Sequence, residues 1–197
     1  EDHTGALPWV LNEMNVPVWG TRLTLGLIRN KLAEHTYLPP ITLNEIDVNT
    51  TLQLGPFTVT FFRVTHSISD AVGFIIETPA GRVVHTGDFK LDQTPIDCRV
   101  TAMQRFAELG RKGVLLLMSD STNADVPGFT RPERSVGESL ESIFALAPGR
   151  IIVASFASHI HRIQQVMDTA ARHGRSVAII GRSMVKNVNI AANLGYL

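Results

Sequence analysis

The sequence predicts an α/β fold in two successive parts, and three observations support this prediction. Residues 46–85 alternate short apolar runs with turn residues such as Gly55-Pro56, which is typical of a β-rich layer. After residue 132 the apolar pattern alternates between helices and short strands. Between these regions, residues 124–132 contain Pro127, Gly128 and Pro132, which favour a domain boundary. We therefore predict a first domain over residues 1–127 and a second over residues 128–197.

In the first part, helices and strands are interleaved from the start. Apolar residues at positions 23, 25, 27, 28 and 32 predict a helix with one face on a core. The continuous apolar run at 113–119 predicts a strand that is buried on both faces. The remaining predicted elements are helices at 7–14 and 99–112 and strands at 16–19, within 46–64, at 73–77 and at 82–85.

In the second part, the elements follow a simple order of helix, strand, helix, strand and helix. Ser135 and Glu138 have the spacing of a capping box, which would open a helix ending at residue 146. The other predicted elements are strands at 150–156 and 176–180 and helices at 158–173 and 184–194. Short links between such elements imply right-handed crossovers and a parallel sheet, in which ligands bind where strands end and helices begin.

Composition limits the classes of function. The chain has 197 residues, 44% of them hydrophobic, which is enough for a real core. Its 18 Lys and Arg residues balance 18 Asp and Glu residues, so RNA binding would have to rest on local groups. The single Cys98 cannot form an internal disulfide and fits a reduced, cytoplasmic compartment, while a nucleophilic thiol would need a partner that the sequence does not show. No apolar run is long enough to cross a membrane, so a membrane is not expected as a partner.

Three short segments place potential metal ligands next to residues that favour turns. They are Asp2-His3, His66, and Asp88 in the turn Thr86-Gly87-Asp88. Imidazole nitrogens and carboxylate oxygens together suit Zn²⁺ or another divalent transition ion. Each segment also has a plainer interpretation, because Asp caps helices, a histidine after a strand is often packed or at the surface, and Thr-Gly-Asp is a common turn.

The order of these segments carries a resemblance to a known superfamily. Residues 2–7 (Asp-His-Thr-Gly-Ala-Leu) resemble the second half of the His-x-His-x-Asp-His motif of the metallo-β-lactamase superfamily, and His66 and Asp88 match its next two ligands. Six further segments resemble successive signatures of the ribonuclease J family: residues 86–90 (Thr-Gly-Asp-Phe-Lys), 119–123 (Ser-Asp-Ser-Thr-Asn), 126–130 (Val-Pro-Gly-Phe-Thr), 156–158 (Phe-Ala-Ser), 160–162 (Ile-His-Arg) and 181–184 (Gly-Arg-Ser-Met). The resemblance covers essentially the whole chain.

The resemblance implies a fold and a metal centre. The fold would be a partial metallo-β-lactamase αββα sandwich followed by the first part of a β-CASP parallel α/β domain, in a chain cut short at both ends. Asp2 and His3 would bind the second of two divalent ions, His66 would bind the first, and Asp88 would bridge both. The ions would be Zn²⁺ or Mn²⁺, and Asp2 would also orient or deprotonate the attacking water.

The resemblance also implies roles outside the metal ligands. Asp120 would orient a downstream histidine that protonates the leaving oxygen, although a strand-end cap is the plainer interpretation. Ser158, Arg182 and Ser183 fall at strand-to-helix junctions and would contact the RNA backbone, although ordinary caps and a surface Arg explain them as well. The sequence departs from the family at His159, where Asn is frequent, and at Ser69, where Pro is frequent.

The function implied by the resemblance is a metal-dependent ribonuclease. It would degrade RNA from the 5′ end, with internal cleavage as a second mode, in RNA maturation (including rRNA processing) and decay. It would act as a homodimer or homotetramer and in an RNA-degradation complex. The 197-residue chain alone is expected to be inactive, because only His66 and Asp88 remain for the first ion. Two alternatives stay open: a small-substrate hydrolase of the same fold, and a non-catalytic RNA-binding fragment, which predicts that the codons before Glu1 do not encode His-x-His.

Overall fold

The computed structural model describes residues 3–197, which form six helices and seven strands. In chain order they are α1 (Leu7–Glu13), β1 (Val18–Gly20), α2 (Arg22–Leu32), β2 (Leu43–Glu45), β3 (Thr51–Leu54), β4 (Phe57–Arg63), β5 (Val72–Thr78), β6 (Gly81–His85), α3 (Met103–Lys112), β7 (Leu116–Met118), α4 (Arg134–Leu146), α5 (Ile160–Arg172) and α6 (Arg182–Asn193). The predicted α/β class is confirmed.

The main sheet has five strands in the order β3-β4-β5-β6-β7. The first four are antiparallel neighbours, and β7 pairs in parallel with β6. Helix α3 covers one face, where Phe62 of β4 meets Phe106 with ring centroids 5.0 Å apart. Gly73 of β5 lies directly under the Phe62 ring, since a Cβ at this position would stand 2.3 Å from its Cζ. The β-rich layer predicted between residues 46 and 85 is therefore confirmed, and it has a tightly packed aromatic core.

A second core joins the helices of the two parts of the chain. Leu23 of α2 packs with Ile160 and Ile163 of α5 and with Ala191 of α6, and all four are buried. Helices α4 and α5 form a third cluster around Phe144. Helix α2 near the start of the chain therefore shares apolar contacts with the last two helices, α5 and α6, while the division at residues 127 and 128 stays a prediction.

The predicted strand at 113–119 is shorter and more exposed than expected. Only Leu116–Met118 forms β7, at the edge of the sheet, and Leu117 is 58% exposed. The prediction that this run is buried on both faces is wrong for the part of the chain that the structure describes. An apolar run favours burial of the strand, but burial requires a layer of structure on each face of the sheet. Residues 3–197 place no such layer over β7.

The two strands predicted in the second part, at 150–156 and 176–180, do not form. Both segments instead line a cavity of about 810 Å³ between α5 and the start of α6. Their runs of Ile and Val have strand propensity, but a strand also needs a partner edge, and neither segment is paired with a strand in the part of the chain that the structure describes. The parallel sheet predicted for this part is therefore absent from residues 128–197.

The start of α4 also differs from the prediction. The helix begins at Arg134 with Glu133 as its N-cap residue, and no side chain caps it. Ser135 lies inside the first turn and its hydroxyl donates to the Pro132 carbonyl at 2.7 Å. The capping box of Ser135 and Glu138 is therefore wrong, because the helix starts two residues earlier than that motif requires. Helix α3 likewise begins at Met103 rather than at residue 99.

Candidate metal centre

Three of the four predicted metal ligands lie together at one end of the main sheet. His3 Nε2 is 3.1 Å from Asp88 Oδ2, and His66 Nε2 is 3.7 Å from the same oxygen. The side chains of His66 and Asp88 are 34% and 38% exposed, so the cluster opens to solvent. Asp2, the fourth predicted ligand and a predicted catalytic residue, lies outside the described residues.

Local backbone geometry brings the His66 and Asp88 loops side by side. The Lys90 N–H donates to the Thr65 carbonyl at 2.9 Å, which forms an isolated antiparallel bridge between the residue before His66 and a residue just after Asp88. Gly87 turns the chain with a φ of 62°, and a Cβ there would lie 3.0 Å from the Val72 carbonyl oxygen. A glycine immediately before Asp88 is therefore required for the carboxylate to face the histidines.

The chemistry of the donors fits a divalent transition ion. Burial lowers the pKa of His66, and the charges of Asp88 and Asp120 oppose this effect only in part. A lowered pKa keeps the imidazole neutral, which is the form that binds metals. Within residues 3–197, however, no group of three or more His, Cys, Asp or Glu side chains is arranged to hold an ion. The ligand roles of His3, His66 and Asp88 therefore stay predictions.

Asp120 lies against the loop that carries Asp88. Its Oδ2 accepts the Phe89 N–H at 3.2 Å, and its own N–H donates to the Thr86 hydroxyl at 3.0 Å. Its Oδ1 accepts the Thr122 N–H at 2.8 Å, and this bond is the main reason that the pKa of Asp120 is below its usual range. The carboxylate is thus a fixed, ionised acceptor beside Asp88. The same bonds also make it a cap for the turn after β7, as the plainer interpretation predicted.

The predicted RNA-contacting residues lie at the N-terminal ends of α5 and α6. Ser158 precedes α5 and is half-buried, whereas Arg182 and Ser183 begin α6 and are exposed. The Asn187 side chain donates to the Ala157 carbonyl at 3.1 Å, which holds the two helix starts near each other. Two neighbouring helix N-termini with small hydroxyls and an arginine suit phosphate. Contact with RNA stays a prediction for all three residues.

The comparisons with known proteins place the chain in a family. Residues 1–111 match the sequence profile of the Beta-lactamase superfamily domain, and residues 148–197 match that of the Ribonuclease J, beta-CASP domain. The whole chain is 50% identical to Ribonuclease J of Thermus thermophilus and 47% identical to Ribonuclease J 1 of Streptococcus pyogenes. The chain belongs to the ribonuclease J family of the β-lactamase superfamily.

The chain spans about a third of the length of the curated relatives that it matches, 36% of the Thermus protein and 35% of the Streptococcus protein. The fold is also found in a crystal structure of a protein of unknown function from Enterococcus faecalis, with a TM-score of 0.58 and 16% identity. That alignment covers 78% of this chain and 39% of the other, and the likeness concerns the fold alone. Among the residues described, no helix is long and apolar enough to cross a membrane.

The sequence did not single out a buried polar network next to the candidate metal centre. Glu133 contacts Arg162 and Gln165 on α5 and the Lys90-Asp92 segment after Asp88. No motif spacing links Glu133 to Asp92, because 41 residues separate them. The sequence offered one local indication of this network. Lys90 follows Asp88 by two residues, and a charged side chain so near a candidate ligand can hold the loop that carries the ligand.

Proposed function

We propose that the complete protein is a metal-dependent ribonuclease that hydrolyses RNA phosphodiester bonds as a 5′-3′ exonuclease, with endonuclease cleavage as a second mode. The observation that carries this proposal is the approach of two imidazole nitrogens, from His3 and His66, to one oxygen of Asp88. It is supported by the relatives named Ribonuclease J, which match the chain from end to end. The biological setting would be RNA maturation, including rRNA processing, and RNA decay.

The residues of this chain would have separate roles in binding the metal ions and activating water. His3 and Asp2 would hold one divalent ion, His66 would hold another, and Asp88 would share its carboxylate between the two. Bound Zn²⁺ or Mn²⁺ would supply acidity for the attacking water and neutralise charge on the phosphodiester. Asp2 would orient that water or accept its proton.

Two further groups would act on the substrate side of the reaction. Asp120, ionised and fixed by the backbone, would accept the N–H of a histidine supplied elsewhere in the complete protein and orient it toward the leaving oxygen. Ser158, Arg182 and Ser183 would bind RNA phosphates at the starts of α5 and α6. The proposed working form is a cytoplasmic homodimer or homotetramer within an RNA-degradation complex, which light scattering and pull-down from the native host would test.

A small-substrate hydrolase of the same superfamily is less well supported. Residues 148–197 match the Ribonuclease J, beta-CASP domain, a region that the simpler alternative does not require. A non-catalytic RNA-binding protein is the remaining alternative. The experiment below separates all three, because each predicts a different combination of metal content and RNA cleavage.

The test is the substitution Asp88→Ala in the complete protein, with Asp168→Ala as the matched control. Asp168 is an exposed aspartate on α5 that accepts the Gln164 side chain at 2.7 Å, away from the candidate centre. Asp88→Ala is expected to abolish both metal uptake and cleavage of 5′-monophosphorylated RNA, since it removes a ligand of each ion. Asp168→Ala should keep both.

The RNA substrate distinguishes the modes of cleavage. A linear RNA with a 5′ monophosphate reports the exonuclease, and a circular RNA of the same sequence is cut only by an endonuclease. Metal content is measured by elemental analysis after purification without chelator. Normal metal content and turnover in Asp88→Ala would show that the assignment of the bridge is wrong. Metal uptake without cleavage of either RNA by the unaltered protein would favour the small-substrate hydrolase, and absence of both would favour the non-catalytic alternative.

A further inference from the structure

Glu133 is a buried acid between the two parts of the chain, and none of the proposed catalytic roles uses it. It is the N-cap residue of α4, its side chain is 11% exposed, and its backbone N–H donates to Asp92 Oδ2 at 2.9 Å. An ionised carboxylate at this depth is costly unless several donors satisfy it. The donors around Glu133 therefore indicate what the residue does.

On one side, the donors come from α5. Arg162 Nε donates to Glu133 Oε1 at 2.6 Å, and Gln165 Nε2 donates to the same oxygen at 3.2 Å. The His159 Nε2 atom lies 3.7 Å from that oxygen. A short charge-assisted bond from an arginine orients both partners, because the guanidinium is planar and its donors are fixed. Oε1 thus ties Glu133 to the first turn and a half of α5.

On the other side, the contacts come from the segment after Asp88. Lys90 Nζ lies 3.7 Å from Glu133 Oε2 and 3.5 Å from Asp92 Oδ2. The Asp92 side chain is only 1% exposed, and its Oδ1 accepts the Thr94 N–H at 2.9 Å. Two buried acids and two cations, Lys90 and Arg162, therefore form one balanced network between the Asp88 loop and α5.

The same network reaches both candidate ligand loops. Lys90 is bridged through its backbone to Thr65, next to His66, and the Thr65 N–H is held in turn by the Thr101 hydroxyl at 2.9 Å. Helix α5 makes a second contact with the His66 loop through His161. The His161 Nε2 atom lies 3.0 Å from the hydroxyl of Ser69, three residues after His66.

We propose that Glu133 is a positioning residue that fixes the loop carrying Asp88 against α5, so that the second part of the chain sets the geometry of the metal centre. The inference rests on the proposed function for its effect on metal binding and turnover. The coupling of the loop to α5 is a property of this chain's own residues and is measured separately. Groups that orient metal ligands from outside typically change metal affinity or activity about 10- to 100-fold when altered.

The experiment compares Glu133→Gln with Glu141→Gln in the complete protein. Glu141 is the matched control: it also lies on α4 and pairs with α5, through Arg172 and through His173 at 2.8 Å, but without contact to the Asp88 segment. Gln keeps the size and one acceptor oxygen at position 133, removes the negative charge and replaces the second oxygen by an NH₂ donor. Arg162→Lys is the second variant, which keeps the charge on α5 and loses the short Nε bond, and it decides the question if Glu133→Gln does not fold.

Three quantities are measured: backbone hydrogen exchange over residues 86–94, Zn²⁺ affinity by competition with a chelating dye, and kcat and KM on 5′-monophosphorylated RNA. Glu133→Gln is expected to accelerate exchange over 86–94 about tenfold or more, to weaken Zn²⁺ binding about 10- to 100-fold, and to lower kcat with KM nearly unchanged. Arg162→Lys should show the same pattern more weakly. Glu141→Gln should match the unaltered protein in all three.

The outcomes separate this inference from the proposed function. Exchange over 86–94 in Glu133→Gln that equals the exchange in Glu141→Gln would overturn the coupling, whatever the activity. Faster exchange with unchanged Zn²⁺ affinity and kcat would overturn the positioning role and leave Glu133 a structural residue. Failure of the unaltered protein to bind Zn²⁺ or cleave RNA would overturn the proposed function, while the exchange comparison would still decide the coupling.

Discussion

Replacing Asp92 by Ala should destabilise the protein far more than an aspartate substitution in an ordinary turn. The Asp92 carboxylate accepts the N–H groups of Thr94 and Glu133, each at 2.9 Å, and Lys90 Nζ lies 3.5 Å away. The side chain is 1% exposed, so water cannot replace the lost acceptor without opening the structure. The substitution would leave the N–H groups of Thr94 and Glu133 and the Lys90 cation without their nearest anion; of the two hydrogen bonds, the one to Glu133 is buried.

The expected magnitude follows from these three contacts. Each N–H that loses a charged acceptor costs about 1.5–3 kcal/mol. Removal of one partner from a buried charged pair costs about 3–5 kcal/mol, and we expect Asp92→Ala to fall in this range. That is a large share of the roughly 5–15 kcal/mol by which folded proteins exceed their unfolded state. The equilibrium constant for unfolding would rise roughly 10²- to 10⁴-fold, since about 1.4 kcal/mol is a factor of ten.

The matched control is Asp47→Ala. Asp47 forms the same local bond as Asp92, to the N–H two residues later, at 2.8 Å from Asn49, but it is exposed to solvent. Because water can replace its bonds, the control should lose much less stability. Urea unfolding gives the free energy of unfolding for both variants, and hydrogen exchange reports the Thr94 and Glu133 amides directly. Equal losses in the two variants would refute the reasoning, because burial would then contribute nothing.

Three further predictions concern other contacts of the fold and the site. Burial raises the pKa of Glu133, but the Arg162 hydrogen bond and nearby positive charges outweigh burial and hold the pKa below its usual range. The stabilisation by Glu133 is therefore complete above the ordinary Glu pKa and is lost as pH falls through the lower pKa of the folded state. The melting temperatures of wild type and Glu133→Gln should consequently converge in acid. His161→Phe should lower the free energy of unfolding, measured in urea, by about 1–3 kcal/mol, because the Ser69 hydroxyl loses its buried partner. An unchanged free energy of unfolding would contradict that hydrogen bond. Gly73→Ala should lower the free energy of unfolding by about 1–3 kcal/mol, because the added Cβ would overlap the Phe62 ring. A smaller residue at position 62 should restore part of this loss in calorimetry, and additive effects of the two substitutions would exclude the clash.

The sequence predicted most helices and the main sheet because their signals are local. The alternation of Phe57 to Val64 and the turn at Gly55-Pro56 describe β4 and its approach without reference to distant residues. The capping box at Ser135 failed for a different reason. The residue at the helix start is held by Asp92, which lies 41 positions earlier and which no local pattern of α4 contains.

The strands predicted at 150–156 and 176–180 show the limit of propensity. Their β-branched residues indicate a preference for extended backbone, but pairing is a property of two segments and of the space between them. In the structure both segments line a cavity of about 810 Å³, and neither pairs with a strand among the described residues. Burial of β7 failed on similar grounds, since exposure depends on what other elements place over a strand.

By itself, the sequence determined the α/β class, the family, and the identity of His3, His66 and Asp88 as candidate ligands. These follow from short segments in a fixed order, and each segment carries its own turn chemistry. Only the tertiary structure decided that two of these ligand loops rest on α5 through Glu133 and His161. The physical reason is distance along the chain: the donors and acceptors come from segments far apart in sequence, and their pairing depends on how α4 and α5 lie against the loops that follow β4 and β6.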